Sequence, residues 1–370
     1  MVFTILKDSF EEKLTNAIRF SMSRISSVPL LQGGLLTISN GILEISTTNL
    51  NEFFYSSQKI DSKESTSVVV DIKKILEFIH FLPSGKIEIE IVDGQLTIKS
   101  DKTKASFNTA SPADFPKIPK TEGKKFILKK TFLKNSLPLV LFSAATDESR
   151  PVLTGINFRE MDGENYIVST DGFRLSLLTH KKDDDFPSSV IIPSHVLSEL
   201  SRISESNIDV LVEVSEAEKM MVFTLTDMKI YSRMIEGDFP PFQKVIPTDY
   251  KTRIIVERDE FLRNIKLASV FARDMSNIIV FQIKKDGIYI KPKAKMGGDT
   301  VIFQPVEFEG EEQNIAFNYK FVLDFLNTAS SKKIVFEMTD KNAPGVFKID
   351  EITQFLHIIM PVRTDDEIVD

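Results

Sequence analysis

No cysteine occurs in the chain, so disulfides and thiolate-held metals are excluded at once. Long apolar runs are missing too: nothing approaches the ~18 consecutive residues that a membrane-spanning helix requires. The opening segment, MVFTILKDSFEEK, carries acids where a secretory signal has a basic region and then an apolar core. The expected compartment is therefore the cytoplasm, without membrane association. Phosphate-cradling glycine loops are absent as well. Gly33-Gly34 and Gly297-Gly298 stand in neither P-loop nor dinucleotide-binding spacing and read as turns. Histidine is scarce, with His80, His180, His195 and His357 as the whole supply. No two of them stand at metal-ligand spacing on one helix, and no partner that would orient one as a general base can be placed. Asp183, Asp184 and Asp185 lie between a strand and Phe186-Pro187 and read as a solvated loop. Ser169-Thr170-Asp171-Gly172 lacks the nucleophile-elbow spacing. Catalytic residues, metals and cofactors are all expected to be none.

What is present is a globular composition, 42% hydrophobic and 27% charged, on 370 residues, enough for two or three domains. The formal net charge of −7 argues against a nucleic-acid binder unless basic residues gather on one face. The pattern along the chain is repetitive. FTILKDSFEEKLTNAIRF from Phe3, FILKKTFLKNSLPLVLF from Phe126 and RIIVERDEFLRNIKLASVF from Arg253 each read as a short strand, a charged turn and a helix. Phe10, Leu14, Ala17 and Ile18 share one face of the first helix, and Phe261, Ile265, Ala268 and Val270 are assigned alike in the third. About 60–65 residues after each comes a second strand–helix unit. These units are SVVVDIKKILEFIHFL, SVIIPSHVLSELSRI and NIAFNYKFVLDFLNTA. Alternating runs follow every helix, the clearest being KIEIEIVDGQLTIKS, with Asp93-Gly94 as its hairpin turn. Pro-containing segments bearing Asp-Phe-Pro close the first two repeats. The expected fold is α+β: three domains, 1–121, 122–249 and 250–370, each with two helices packed on antiparallel sheets. Two non-enzymatic classes fit, a platform that binds or encircles nucleic acid and a structural or interaction protein built of repeats.

Three stretches choose between them: Arg150-Pro151-Val152-Leu153-Thr154-Gly155, Ser169-Thr170-Asp171-Gly172-Phe173-Arg174-Leu175, and Met360-Pro361-Val362-Arg363. In their order and spacing they resemble the beta subunit of bacterial DNA polymerase III, the sliding-clamp family, and the resemblance spans essentially the whole chain. It implies a head-to-tail homodimeric ring with helices lining the hole and sheets outside. Such a ring encircles double-stranded DNA and has no chemistry of its own. The implied partners are DNA, the polymerase III catalytic subunit, the clamp loader and other proteins with a clamp-binding motif. Weak, sequence-independent attraction to phosphates suits sliding, so a basic bore inside an acidic exterior reconciles the net charge.

Arg24, Lys73, Lys74, Lys134, Arg150, Arg202, Arg263 and Lys266 are the expected DNA-facing cations. Arg24 and Lys73 fall at DNA-contacting positions of the family. Pro151 and Val152 stand where some members have DNA-touching tyrosines, so that contact is not expected here. The resemblance further implies a groove for short peptides bearing a glutamine and apolar anchors. Its matching positions begin with Leu153, Thr170, Gly172, Phe173, Arg174 and Leu175. They continue with Pro240, Val245, Pro344, Ile358, Met360, Pro361, Val362 and Arg363. An apolar groove with a methionine suits several partners. Phe107, Val270 and Phe271 are the candidate apolar contacts of the dimer junction. The chain departs from the family in continuing past Arg363 with Thr364–Asp370, an acidic tail that either covers the groove or frays.

Overall fold

The computed structural model describes residues 1–22, 29–181, 189–203, 208–273, 277–293 and 300–363. One order of elements occurs three times. The first repeat runs β1 (Val2–Leu6), α1 (Lys7–Ile18), β2 (Gly34–Ser39), β3 (Ile42–Thr48), β4 (Glu52–Lys59), β5 (Thr66–Val70), α2 (Ile72–His80), β6 (Lys86–Val92), β7 (Gln95–Ser100) and β8 (Thr103–Ala110). The second runs β9 (Lys124–Leu128), α3 (Pro138–Leu141), β10 (Gly155–Met161), β11 (Glu164–Thr170), β12 (Arg174–Lys181), β13 (Ser189–Pro193), α4 (Ser194–Ile203), β14 (Val210–Ser215), β15 (Met220–Thr224) and β16 (Met228–Arg233). The third runs β17 (Thr252–Glu257), α5 (Arg258–Ala272), β18 (Ile278–Lys284), β19 (Gly287–Pro292), β20 (Ile302–Gln304), β21 (Glu307–Gly310), β22 (Gln313–Asn318), α6 (Tyr319–Thr328), β23 (Lys333–Met338), β24 (Gly345–Ile349) and β25 (Ile352–Ile359).

The helices form where the pattern places a narrow apolar stripe. On α2 the buried residues are Ile72, Ile75 and Ile79, at spacings of three and four, and the Asp71 side chain caps the first turn by accepting from the Lys74 amide. Asn318 caps α6 in the same way, above buried Tyr319, Val322, Phe325 and Leu326. Phe10, Leu14 and Ala17 face the core from α1, with Ile18 half-buried. In α5 the assignment of Val270 to the buried face is corrected. It is 52% exposed, and Ala272, four residues after Ala268, takes the place. The helix expected over FLKNSLPLVLF is broken: a π turn over Phe132–Ser136 leads into a single α turn that begins at Pro138. Proline has no amide hydrogen to give and crowds the preceding carbonyls, which fits that break. Asp93-Gly94 makes the expected tight hairpin, both residues at positive φ, and Asn40-Gly41 and Asp162-Gly163 repeat it.

Each repeat contributes two antiparallel four-stranded groups. One contains the three strands that follow the first helix and the strand before the second. The other contains the first strand of the repeat and the three that follow the second helix. The molecule divides into two compact units, Met1–Lys130 with Glu199–Met234, and Thr131–Ser198 with Ile235–Asp370, so the middle repeat is split between them. In the first unit β5-β2-β3-β4 continues through β4·β16 into β16-β15-β14-β9, within a twelve-stranded sheet. In the second unit β13-β10-β11-β12 continues through β12·β25 into β25-β24-β23-β17, with β21 added at the edge. The remaining group, β20-β19-β18-β22, stands as a separate four-stranded sheet with β20 as an open edge. The core of the second unit is rich in phenylalanine: Phe281, Phe317, Phe336 and Phe347 meet at centroid distances of 4.7–6.3 Å. Among the described residues, no helix is long and apolar enough to cross a membrane.

Candidate functional site: a groove along the β12·β25 seam

The candidate groove lies in the second unit, where the turn before β12 meets the end of β25. Thr170 and Asp171 build that turn with their side chains. Thr170 Oγ1 donates to the Arg174 carbonyl (2.6 Å) and accepts from the Gly172 amide (3.0 Å). Asp171 Oδ1 accepts from the amides of Phe173 (2.9 Å) and Arg174 (3.0 Å). Gly172 sits at φ +92°, and a Cβ there would lie 3.4 Å from the Arg150 guanidinium, so a side chain would be strained and crowded. The turn holds Phe173 out at 60% exposure. The Met360 amide donates to the Phe173 carbonyl at 2.8 Å, and Met360 is 40% exposed beside it.

Beneath this rim Leu153, Leu175 and Ile358 are buried in one apolar cluster with Phe242 and Val346. Val245 and Pro240 are exposed, and Pro344 is half-buried. Val362 turns elsewhere, packing on Ile278, Val280 and Ala316 while its amide donates to the Ala316 carbonyl at 2.8 Å. Arg363 is exposed. The tail Thr364–Asp370 lies outside the described residues.

Arg174 is more committed than the sequence suggests. Its Nε donates to Asp171 (2.9 Å) and its Nη1 to Asp324 on α6 (2.6 Å). The guanidinium carbon lies 4.8 Å from the Phe321 ring centroid and 5.7 Å from that of Phe142. A cation held by two carboxylates and two rings fixes the turn rather than waiting for a ligand's acid. Ser176, two residues on, shares that inward side. Its Oγ meets Ser143 Oγ (2.7 Å) and His357 Nδ1 (2.9 Å). His357 is fully buried and stacked at 2° on Phe325. Burial and the neighbouring Arg174 charge hold its pKa well below 6.5. Phe142, Phe321 and Asp324 are site neighbours that the sequence reading missed. Phe321 and Asp324 lie three apart on α6, but nothing in the sequence connects them to a turn 150 residues away.

The remaining candidates are dispersed. In the first unit Lys73, Lys74 and Arg202 are exposed. Arg202 donates to Glu199 (3.0 Å), a carboxylate only 5% exposed that also accepts from Arg19 (2.8 Å). In the second unit Lys134, Arg150, Arg263 and Lys266 are exposed. Arg24 lies outside the described residues. Phe107 on β8 packs edge-on against Phe78 at 5.8 Å. Phe81, at the end of α2, is 86% exposed. Val270 and Phe271 project from α5 at 52% and 42% exposure, and Val301 and Phe303 flank the open edge β20 at 43% and 46%.

A thrice-repeated α+β scaffold with Phe173 and Met360 exposed over a buried apolar cluster has the layout of a binding protein. Comparison with known proteins makes the class particular. Models of the DNA polymerase III beta subunit match in three parts: the N-terminal domain over residues 1–119, the central domain over 127–241 and the C-terminal domain over 243–363. The beta sliding clamps of Halalkalibacterium halodurans and Bacillus subtilis are each 31% identical over 98% of this chain and 100% of their own. The crystal structure of the Bacillus subtilis DNA polymerase sliding clamp superposes with a TM-score of 0.90 at 28% identity, covering 99% of this chain and 100% of that one. The Thermotoga maritima DNA polymerase III beta subunit, at 24% identity, shares the fold with a TM-score of 0.91 over 98% of this chain and 100% of its own. The chain belongs to the DNA polymerase III beta-subunit family, the sliding clamps. Its role is accordingly that of a non-catalytic processivity factor in DNA replication.

Proposed function

We propose that two copies of this chain close head to tail into a ring around double-stranded DNA. Each copy carries three domains, 1–121, 122–249 and 250–370. Its β12·β25 groove docks short segments of the polymerase catalytic subunit, the clamp loader and other proteins with a clamp-binding motif. The cytoplasm is the proposed place of work.

The observation that carries the ring is a rule of strand pairing. The third strand after the first helix of one repeat pairs with the last strand of the next: β4 with β16, then β12 with β25. The next pair under that rule is β20 with β8. Among the described residues of one chain β20 is a sheet edge, and β8 beyond its β7 partner meets only Val69 and Val70 of β5. The edge strand β20, with Phe303 on it and Val301 beside it, and the stretch of β8 around Phe107, which pairs with β7 alone among the described residues, favour closure by a second copy. Val270 and Phe271 belong to the same proposed junction. The exposed cations Lys73, Lys74, Lys134, Arg150, Arg202, Arg263 and Lys266, with Arg24, are the proposed phosphate-facing set.

Light scattering after size exclusion tests closure. Wild-type chain is expected at twice the monomer mass, and Phe271→Ala is expected to raise the dissociation constant at least ten-fold, since buried aromatic anchors dominate interfaces. A monomer at every concentration would remove the ring.

A further inference from the structure

Beside the groove lies a cleft of about 150 Å³ that nothing above uses. Its apolar lining residues are Ile246, Pro247, Met338, Val346 and Leu356. Thr248, Asp249 and Tyr250 stand on its rim with Glu337 and Lys348. The cleft and the candidate groove share residues. Val346 belongs both to the cleft wall and to the apolar cluster under the groove, where it pairs across the sheet with Ile358. Leu356 lies two residues before Ile358 on β25, hence on the same face and about 7 Å along the strand. Ile246 and Leu356 pack against that same cluster, and Ile246 directly follows the groove residue Val245. A peptide anchored over Ile358 therefore reaches the cleft with one or two further residues.

The rim charges define what such residues carry. Glu337 is 8% exposed and already compensated, by Lys348 at 2.7 Å and Arg253 at 3.5 Å. Asp249 is exposed, and its carboxylate has no ion pair among the described residues. Its backbone carbonyl, by contrast, is fixed by Thr339 Oγ1 at 3.0 Å. The one uncompensated charge at the cleft mouth is thus a carboxylate on an anchored backbone. The volume matches one aliphatic side chain or a single ring, comparable to a cavity that accepts benzene.

We propose that this cleft is an extension of the peptide groove, taking an apolar side chain followed by a cationic residue from the segment that flanks the anchors of a bound partner. The proposal rests on the groove reading above, and it accounts for discrimination among partners that share the same anchors, because their flanks differ.

The test is fluorescence anisotropy with the full-length protein. The base probe is a labelled peptide carrying one glutamine and two apolar anchors. Derivatives extend it at either end by Ile-Arg, Ile-Glu or Ser-Ser. One Ile-Arg extension is expected to bind about ten-fold tighter than the base probe, or ~1.4 kcal/mol. Ile-Glu is expected to gain less, and Ser-Ser nothing. Asp249→Lys is expected to reverse the order of Ile-Arg and Ile-Glu while leaving the base probe unchanged, which also reports an intact fold. If the base probe binds but no Ile-Arg extension outperforms Ser-Ser, the cleft proposal is overturned and the groove stands. If the base probe itself fails to bind the folded protein, the groove reading falls and takes the extension with it.

Discussion

The seam β4·β16 in the first unit and the seam β12·β25 in the second share a backbone but differ in their side chains. Before β4, Thr48 Oγ1 donates to the Glu52 carbonyl (2.6 Å) and accepts from the Leu50 amide (2.9 Å). Asn49 Oδ1 accepts from the amides of Asn51 (3.0 Å) and Glu52 (2.7 Å). This is the Thr170–Arg174 turn bond for bond, with Leu50 at φ 77° in the place of Gly172 at φ 92°. Even the return contact is kept, because the Arg233 amide donates to the Asn51 carbonyl as Met360 does to Phe173. The differences lie on the rim and the floor. Asn51 and Arg233 stand where the second seam has Phe173 and Met360. The cross-strand pair Phe53 and Tyr231 occupies the floor positions of Leu175 and Ile358. Larger rings below and polar groups above mark the first seam. Smaller aliphatics below and an exposed aromatic and thioether above mark the second, where the groove is proposed. The repeat supplies the scaffold, and four side chains set the proposed groove apart from the first seam.

Exchanging those side chains tests the comparison. Phe173→Asn with Met360→Arg puts the first seam's rim on the second. It is expected to weaken peptide binding by ~30-fold or more, the scale of losing two central anchors, with the circular dichroism unchanged. Unaltered affinity would show that the rim does not matter. The reverse graft, Asn51→Phe, Phe53→Leu, Tyr231→Ile and Arg233→Met, is expected to raise the stoichiometry from one to two peptides per chain in calorimetry. The second site should be weaker, since its floor has only been hollowed. A smaller effect is expected from Arg174→Lys. It retains the charge but loses the fork that spans Asp171 and Asp324, so affinity should fall by roughly five-fold. The smallest effect concerns the pair beneath the rim, Ser176 and His357 in the second seam against Phe54 and Ile230 in the first. His357 is held neutral in the fold, whereas the unfolded chain takes up a proton near pH 6.5. Its contribution to stability is therefore complete above pH 6.5 and declines as the pH falls below it, by at most ~1.4 kcal/mol per pH unit. His357→Phe retains a ring for the stack and should remove that part of the decline, read from urea midpoints at pH 7.5 and 5.5.

The sequence made the repeat legible because strand–helix units recur at a fixed period and their apolar faces obey local spacing, as Ile72, Ile75 and Ile79 do. It misplaced Val270 because the spacing from Ala268 is two rather than three or four. It carried the helix of the second repeat through Pro138, where the missing amide hydrogen works against the apolar pattern. The seams themselves leave no local signal, since β4 and β16 are far apart in the chain and pair through backbone groups that every residue has. For the same reason the groove came from motif resemblance rather than from periodicity. The motif then included Arg174 without revealing its ties to Asp324, Phe321 and Phe142. The cleft beside the groove was invisible for a further reason: its lining draws on four segments, whose apolar residues each read as ordinary core.

The proposed function follows from a topological link, formed when the β20 edge of one copy meets β8 of another around DNA. Retention on plasmid DNA tests this most directly, with the clamp loaded on a closed circle and half of the sample then linearised by a single cut. The circular complex is expected to survive gel filtration in moderate salt while the linear one is lost, because a sliding ring runs off an end and electrostatic attraction alone weakens with salt on both forms. Equal retention on circular and linear DNA would contradict it.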